Sequence, residues 1–171
     1  MMTAPKENHL RLLVVLGEGG HTKQMLRLVE LLGPGYDFHY IINQGDMLSA
    51  LRLPFPGPTY ALRRPRAKRG GRTDSAPRAA WQTLVAMGQA WRVVRRVRPH
   101  AVIGAGPGVS VPVSLAGKLH GAKVIHVETA SRVHTLSLTG KIMYRVADLF
   151  IVQWETLRER YPRAVYAGRL W

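Results

Sequence analysis

An α/β fold, with a parallel sheet covered by helices on both faces, is what this 171-residue chain predicts. Three observations carry that expectation. Apolar runs of strand length alternate with stretches of helical spacing along the chain. The first run, Leu10 to Leu16, breaks into Gly17-Glu18-Gly19-Gly20-His21-Thr22. A later run, Ala101 to Ile103, breaks into Gly104-Ala105-Gly106-Pro107-Gly108. A strand that ends in glycines and then enters a helix is how α/β proteins build a crevice at the carboxyl ends of parallel strands. Glycine lets the backbone approach a ligand closely, and the helix N-terminus behind it favours an anion. Two such turns can face one crevice from two sides.

The elements follow in order. Leu10 to Leu16 reads as a buried strand. From Lys23 to Leu32, Met25, Leu28, Val29 and Leu32 fall at helical spacing, and Gly33-Pro34-Gly35 ends that helix. Phe38 to Ile42 is a second strand, and Leu53 to Pro58 is too proline-rich to be regular. Thr59 to Leu62 is a short third strand. Positions 63–75 read as a basic, glycine-containing loop of low order. Ala76 to Val97 is a long helix, closed by Pro99. Next come a strand (Ala101 to Ile103), a helix (Ser110 to Leu119) and a strand (Lys123 to Val127). The rest reads as a helix (Leu136 to Ala147), a strand (Leu149 to Val152), a short helix (Trp154 to Arg160) and a strand (Ala164 to Ala167). No internal repeat or linker divides the chain, so residues 1–171 are expected to form one domain with a flexible segment at 1–9.

An apolar fraction of 46% suits a globular core. The absence of cysteine excludes disulfides and thiolate-bound metals, and no metal or cofactor is expected. No stretch reaches about 18 uninterrupted apolar residues, so no membrane-spanning helix is expected. The polar first residues do not resemble a signal peptide, and a cytoplasmic protein is predicted. The net charge of +15 attracts a polyanion: nucleic acid, an anionic leaflet or a diphosphate. Arg63, Arg64, Arg66, Lys68, Arg69, Arg72 and Arg78 form one basic cluster, and Arg92, Arg95, Arg96 and Arg98 a second. With Trp81 and Trp91 alongside, they combine apolar and cationic groups suited to an anionic lipid surface. The alternative is that the tryptophans face the core. Nucleic-acid binding is disfavoured, because no reader motif appears.

Gly17 to Thr22 falls short of the dinucleotide fingerprint, and the strand tip Ile42-Asn43-Gln44 offers no carboxylate to a ribose, Asp46 lying just beyond. A plain tight turn is the simpler reading of the glycines. His21, at the start of the first helix, can donate to a diphosphate or act as a base near neutral pH, or it can be an ordinary helix-start residue. Glu128 ends a strand, where a carboxylate is expected to point into the crevice and act on a sugar hydroxyl, or to pair with Arg132.

Several segments together resemble the asparagine-linked-glycosylation fourteen family. They are Gly17 to Thr22 with Met25 and Leu26, Gly106-Pro107-Gly108 with Val111-Pro112, and Glu128 with Ser131-Arg132-Val133. Further on come Leu136 to Lys141, Tyr144, Ala147-Asp148, Val152-Gln153-Trp154 and Gly168-Arg169-Leu170. The resemblance runs from about Leu12 to the end and is most specific from Glu128 to Trp154. Two departures stand out. Glu18 replaces what is more often a small hydroxyl residue, and the membrane helix of eukaryotic members is missing from the N-terminus. Pro65-Arg66 matches a pair that the family often carries after the third strand.

The resemblance implies the N-terminal, acceptor-side half of a GT-B glycosyltransferase, inactive without a partner that resembles the C-terminal lobe and binds a UDP-sugar. The implied role is to bind a polyprenyl-diphosphate-linked sugar at the cytoplasmic membrane face and to recruit that partner, in polysaccharide or lipid-linked oligosaccharide assembly. Glu128 or His21 would deprotonate the acceptor hydroxyl in a direct, metal-free displacement. Gly19, Gly20, Thr22, Arg63, Arg66, Gly106, Gly108 and Arg132 would hold the acceptor diphosphate. Arg69, Arg72, Trp81, Trp91 and Arg95 would meet the membrane. Leu170 and Trp171 would anchor the partner, or else tuck onto the chain's own core. Two rival functions are a non-catalytic anchor that only activates the partner and a stand-alone nucleotide-binding protein.

Overall fold

The computed structural model describes residues 9–17, 19–63, 68–69, 72–73, 76–106 and 108–170, with backbone alone at 47, 68–69, 72–73 and 76–80. The chain alternates as expected. It runs through β1 (Arg11–Val15), α1 (Gly20–Leu32), β2 (Asp37–Asn43), α2 (Met47–Ala50), β3 (Thr59–Leu62), β4 (Lys68–Arg69), β5 (Arg72–Thr73) and α3 (Ala76–Val97). It continues through β6 (Ala101–Ala105), α4 (Ser110–Leu119), β7 (Lys123–Val127), α5 (Leu138–Val146), β8 (Leu149–Val152), α6 (Thr156–Arg160) and β9 (Val165–Tyr166). Seven strands form one sheet in the order β3-β2-β1-β6-β7-β8-β9, and every pairing in it is parallel.

Alternation along the strands divides the core into two faces. Leu12, Val14 and Leu16 of the first strand segment join Phe38, Tyr40 and Ile42 on one face, where Met25, Leu26 and Val29 of α1 cover them. Leu13 and Val15 point the other way, to Ala90 and Val94 of α3 and Val113 and Ala116 of α4. Farther along that face, Val124, Phe150 and Val152 pack with Met143 of α5 and Leu157 of α6. Each fully buried Leu, Val, Phe or Met contributes roughly 1.5–3 kcal/mol.

Three departures from the sequence reading have local causes. Asp46 caps a one-turn helix, α2, by accepting from the Ser49 amide at 3.2 Å and the Ser49 hydroxyl at 2.6 Å. A helix this short has no periodicity to read. Within the expected basic loop, β4 and β5 form an antiparallel ribbon. The residues between them in sequence are Gly70-Gly71, the kind of pair that suits a two-residue hairpin link. The long helix α3 turns its alanines inward: Ala86 and Ala90 are fully buried, whereas Trp81 and Leu84 are each 66% exposed. Small residues allow α3 to approach the sheet and α4 closely, so the core-facing reading of Trp81 does not hold. Arg98 ends the helix at φ 48°, just before Pro99, and its carbonyl accepts from Arg11 Nε at 3.0 Å.

The irregular segment before β3 is positioned by Gly57. A Cβ there would overlap the backbone carbonyl of Phe38 in β2 and press on the Tyr40 ring. Backbone cannot swing aside, so Gly57→Ala should cost about 1–3 kcal/mol. Urea denaturation checks this: a lowered midpoint is expected, and an unchanged midpoint would show that the edge strand yields freely.

Candidate functional site

The strand order fixes where a ligand can sit. From β1 the chain steps outward to β2 and β3, then returns to place β6 on the other side of β1 and moves away through β7, β8 and β9. The direction of winding reverses between β1 and β6, and open α/β sheets bind ligands outside the carboxyl ends of strands at that point. The two glycine turns follow these two strands. In the register Val15 lies beside Gly104, so the turns start side by side.

They also touch. A Cβ on Gly106, which has φ +68°, would fall on the His21 imidazole. The ring of the first turn therefore lies over the bare backbone of the second. At Gly104, a Cβ would meet Ser110 Oγ at 2.9 Å and Val15 Cβ at 3.4 Å. Glycine at both positions is what lets β6 and the start of α4 close around His21.

Helices α1, α4 and α5 begin at this rim, and their ends differ. Neither α1, preceded by Gly19, nor α4, preceded by Val109, has a side-chain cap or an acidic residue in its first turn. Their first amides and the positive ends of their dipoles face outward without a side-chain acceptor. The start of α5 is occupied. Ser137 Oγ accepts from the Gly140 amide at 2.8 Å, and Glu128 Oε2 accepts from the Ser137 amide and hydroxyl at 3.2 Å each.

Glu128 is fully buried, and its second oxygen accepts from the Thr129 amide at 3.0 Å. Its carboxylate turns onto α5 and not into the open crevice. Gly140 makes this possible, since a Cβ there would coincide with Glu128 Oε2. Burial pushes the Glu128 carboxyl up, while hydrogen bonds from Thr129 and Ser137 and the charge of Arg132 pull it down. Arg132 is exposed and acts on Glu128 through charge, with no hydrogen bond between them among the described residues.

His21 is half-buried, and burial lowers its pKa, so the ring is neutral near pH 7. Its Nδ1 is buried without a hydrogen-bond partner, as are Ser110 Oγ at the start of α4 and Asn43 Oδ1 at the tip of β2. Buried polar atoms are nearly always paired, so three unpaired atoms along one rim set this region apart. His126, beside Gly104 in the register of β6 and β7, is fully buried with neither ring nitrogen paired. Burial, then the charge of His21, lowers its pKa to about 3.

The remaining predicted residues fall into groups. Gly19, Gly20 and Gly108 are exposed at the rim. Thr22 is buried, and its hydroxyl donates to the Gly17 carbonyl at 2.8 Å, which ties down the first turn. Arg63 is exposed just past β3, its amide donating to Gln89 Oε1 of α3 at 2.9 Å. Trp81, Leu84, Trp91, Arg92, Arg95 and Arg96 share one exposed face of α3, with Trp91 edge-on to His120 at 4.2 Å. Leu170 is half-buried against the α1 side of the core, and its amide donates to Gln153 Oε1 at 2.8 Å. With Gly19, Gly20, Arg27, Asp46 and Arg52 it lines a cleft of about 830 Å³ beside α1 and α2. Arg66 and Trp171 lie outside the described residues, as do the side chains of Arg69 and Arg72.

Sequence reasoning missed Asn43 and Ser110 as rim residues, and it missed two glutamines. Gln153 Nε2 donates to Gln24 Oε1 at 2.8 Å and to the Glu128 carbonyl at 3.0 Å. Gln24 also accepts from the Ala130 amide at 3.3 Å. The only signal for Gln24 was a polar residue on the buried side of an amphipathic helix. Among the described residues no cluster of His, Asp and Glu could hold a metal, and no helix is long and apolar enough to cross a membrane.

This fold recurs in solved structures. MurG from Acinetobacter baumannii superposes with a TM-score of 0.69 at 22% identity, over 86% of this chain and 42% of that one. UDP-GlcNAc 2-epimerase from Neisseria meningitidis, bound to UDP-GlcNAc, gives 0.64 at 13% identity, over 94% and 47%. The chain thus spans less than half the length of these structures, and its fold is the Rossmann-like half of the GT-B architecture.

The chain belongs to the family described as Oligosaccharide biosynthesis protein Alg14 like, whose model matches residues 12–170. Relatives named UDP-N-acetylglucosamine transferase subunit ALG14 are 38% identical in Mus musculus, covering 97% of this chain and 85% of that protein. The Homo sapiens relative of that name is 36% identical, covering 99% and 87%.

The buried His126 gives a pH prediction. Its pKa is about 3 in the fold and near 6.5 when unfolded, so between those values the unfolded chain carries a proton that the folded chain lacks. Its contribution therefore becomes more unfavourable as pH falls from 6.5 toward 3. Glu128, shifted upward, works with the opposite sign, so the comparison must be made against a variant. His126→Phe should be at least as stable as wild type at pH 7, since it removes two unpaired buried nitrogens. Below pH 6.5 its advantage should grow by about 1.4 kcal/mol per pH unit. Denaturation curves over this range check it, and parallel pH profiles would contradict it.

Proposed function

We propose that this chain is the acceptor-side subunit of a heteromeric glycosyltransferase. A partner subunit holds a UDP-sugar, and this chain presents a polyprenyl-diphosphate-linked sugar at the cytoplasmic membrane face. The observation that carries the reading is the pair of uncapped helix N-termini, α1 and α4, at the reversal point of the sheet with His21 between them. Two positive helix ends without a side-chain cap suit a diphosphate, the start of α4 through the Ser110 amide, since the Val111 amide donates to Gly108 and Pro112 has none. The names of the ALG14 relatives and the half-length match to GT-B structures support the division of labour.

In this reading the diphosphate lies against Gly19, Gly20, Gly106 and Gly108, and Arg63 and Arg132 approach from the flanks. The acceptor hydroxyl attacks the anomeric carbon of the UDP-sugar. A new C–O bond forms, the bond to the diphosphate of UDP breaks, and His21, neutral through burial, takes the hydroxyl proton. Glu128 is a positioning residue: it holds the start of α5 and the strand-end network beneath the rim. The exposed face of α3 lies on the membrane, Trp81, Leu84 and Trp91 supplying apolar contact and Arg92, Arg95 and Arg96 the charge. Exposed Leu48 and Leu51, beside the cleft that Leu170 lines, mark the partner's side of the rim.

Reconstitution with the partner tests the reading. This chain alone should not transfer sugar to a polyprenyl-diphosphate acceptor, and robust turnover by it would overturn the two-subunit assignment. In the assembled enzyme His21→Gln should lower turnover by about 10²–10⁴-fold with the complex intact. Glu128→Gln should instead lower the melting temperature, since it weakens a buried carboxylate's hydrogen bonds at a cost of about 1–3 kcal/mol. Wild-type turnover in His21→Gln would remove the base from the proposal.

A further inference from the structure

A second concavity lies between α5 and α6, and the transfer chemistry makes no use of it. It has a volume of about 650 Å³, within the range of small-molecule sites. Four cations line it: Lys141 and Arg145 from α5, Arg160 from the end of α6, and Arg163 just beyond. No carboxylate lines it. Basic residues with a carboxylate in reach are paired, as Arg27 is with Glu30 at 3.0 Å and Lys118 with Asp148 at 3.2 Å. None of these four makes an ion pair among the described residues.

One of the cations, Arg163, is also held in place. Lys141, Tyr144 and Arg145 share one face of α5 by their spacing. The Tyr144 hydroxyl accepts from the Arg163 amide at 3.0 Å, and the Arg163 guanidinium lies 5.2 Å from the centre of the same ring. Tyr144 is fixed in turn by edge contacts to Phe150 at 5.3 Å and Tyr161 at 5.4 Å. Preset guanidinium groups match phosphate oxygens, and unpaired like charges in one cleft repel until an anion joins them.

We propose that the α5–α6 cleft is a binding site for a phosphate-bearing anion, distinct from the crevice between the glycine turns. The ligand carries at least two negative charges, as a diphosphate or a phosphate ester does. It is either a soluble phosphate compound or the headgroup of an anionic lipid. This inference does not rest on the transferase reading.

The test titrates the full chain with two probes at low salt: inorganic pyrophosphate, and a water-soluble dihexanoyl phosphatidylglycerol. An Arg145→Gln/Arg160→Gln double variant removes charge from the cleft, and a Lys123→Gln/Arg158→Gln control removes the same charge from exposed positions outside it. Wild type should bind at least one probe saturably. The cleft variant should weaken it at least about tenfold, the loss expected for charge-assisted hydrogen bonds, and the control should not. Preference for pyrophosphate assigns a soluble ligand, and preference for the lipid assigns a headgroup. Should the double variant unfold, Lys141→Gln makes the same comparison. Saturable binding of neither probe, or equal weakening by the cleft and control variants, would overturn the proposal.

Discussion

The rim of this protein hangs on one buried polar network. Gln153 at the end of β8 donates to Gln24 of α1 and to the Glu128 carbonyl at the end of β7, and accepts from the Leu170 amide. Gln24 also holds the Ala130 amide, and the Glu128 side chain reaches the start of α5. Four elements and the last described segment are thus pinned at the place where parallel strands would otherwise splay into loops. Gln24, Glu128, Ala130 and Gln153 are buried, so a hydrogen bond lost among them costs the full desolvation of its partner. That arrangement resists partial loosening, because it is fully satisfied or expensive.

The network also sets the electrostatics. Three helices point positive ends at the rim. Glu128 and Ser137 neutralise that of α5, and among the described residues no side chain caps those of α1 and α4. The consequence is directional: an anion is drawn to the reversal point between β1 and β6, not spread along the strand ends. His21 sits between the two open helix ends, kept neutral by burial, so it adds no positive charge of its own to the rim near pH 7.

Most of the fold was legible from the sequence for a plain reason. A parallel sheet buried on both faces requires apolar runs, and the runs of β1, β6 and β7 are each followed by a helix of readable spacing. The strands β3 and β7 and the helices α3 and α4 fall where pattern places them. The one-turn α2 and the β4–β5 ribbon were not legible, because neither is long enough to show a period. Of the site, the glycine turns and His21 could be read directly, since backbone approach demands glycine. The orientation of Glu128 could not. A carboxylate at a strand end faces the crevice unless something offers it better partners, and here those partners are Ser137 and the space over Gly140. That space is set by packing nine to twelve residues further along the chain, which a local pattern does not encode. Gln24 and Gln153 were hidden for the same reason: they are partners only after α1 and β8 have been brought together.

The central claim is that an anionic acceptor binds between the starts of α1 and α4. Amide chemical-shift mapping with a soluble, short-chain isoprenyl diphosphate sugar tests it most directly. The account predicts saturable shifts at Gly19 to His21 and at Gly106 to Ser110, with Ser137 to Gly140 undisturbed, because Glu128 already occupies the start of α5. Shifts at Ser137 to Gly140 without any at Gly19 to His21, or binding that leaves both glycine turns unmoved, would contradict it.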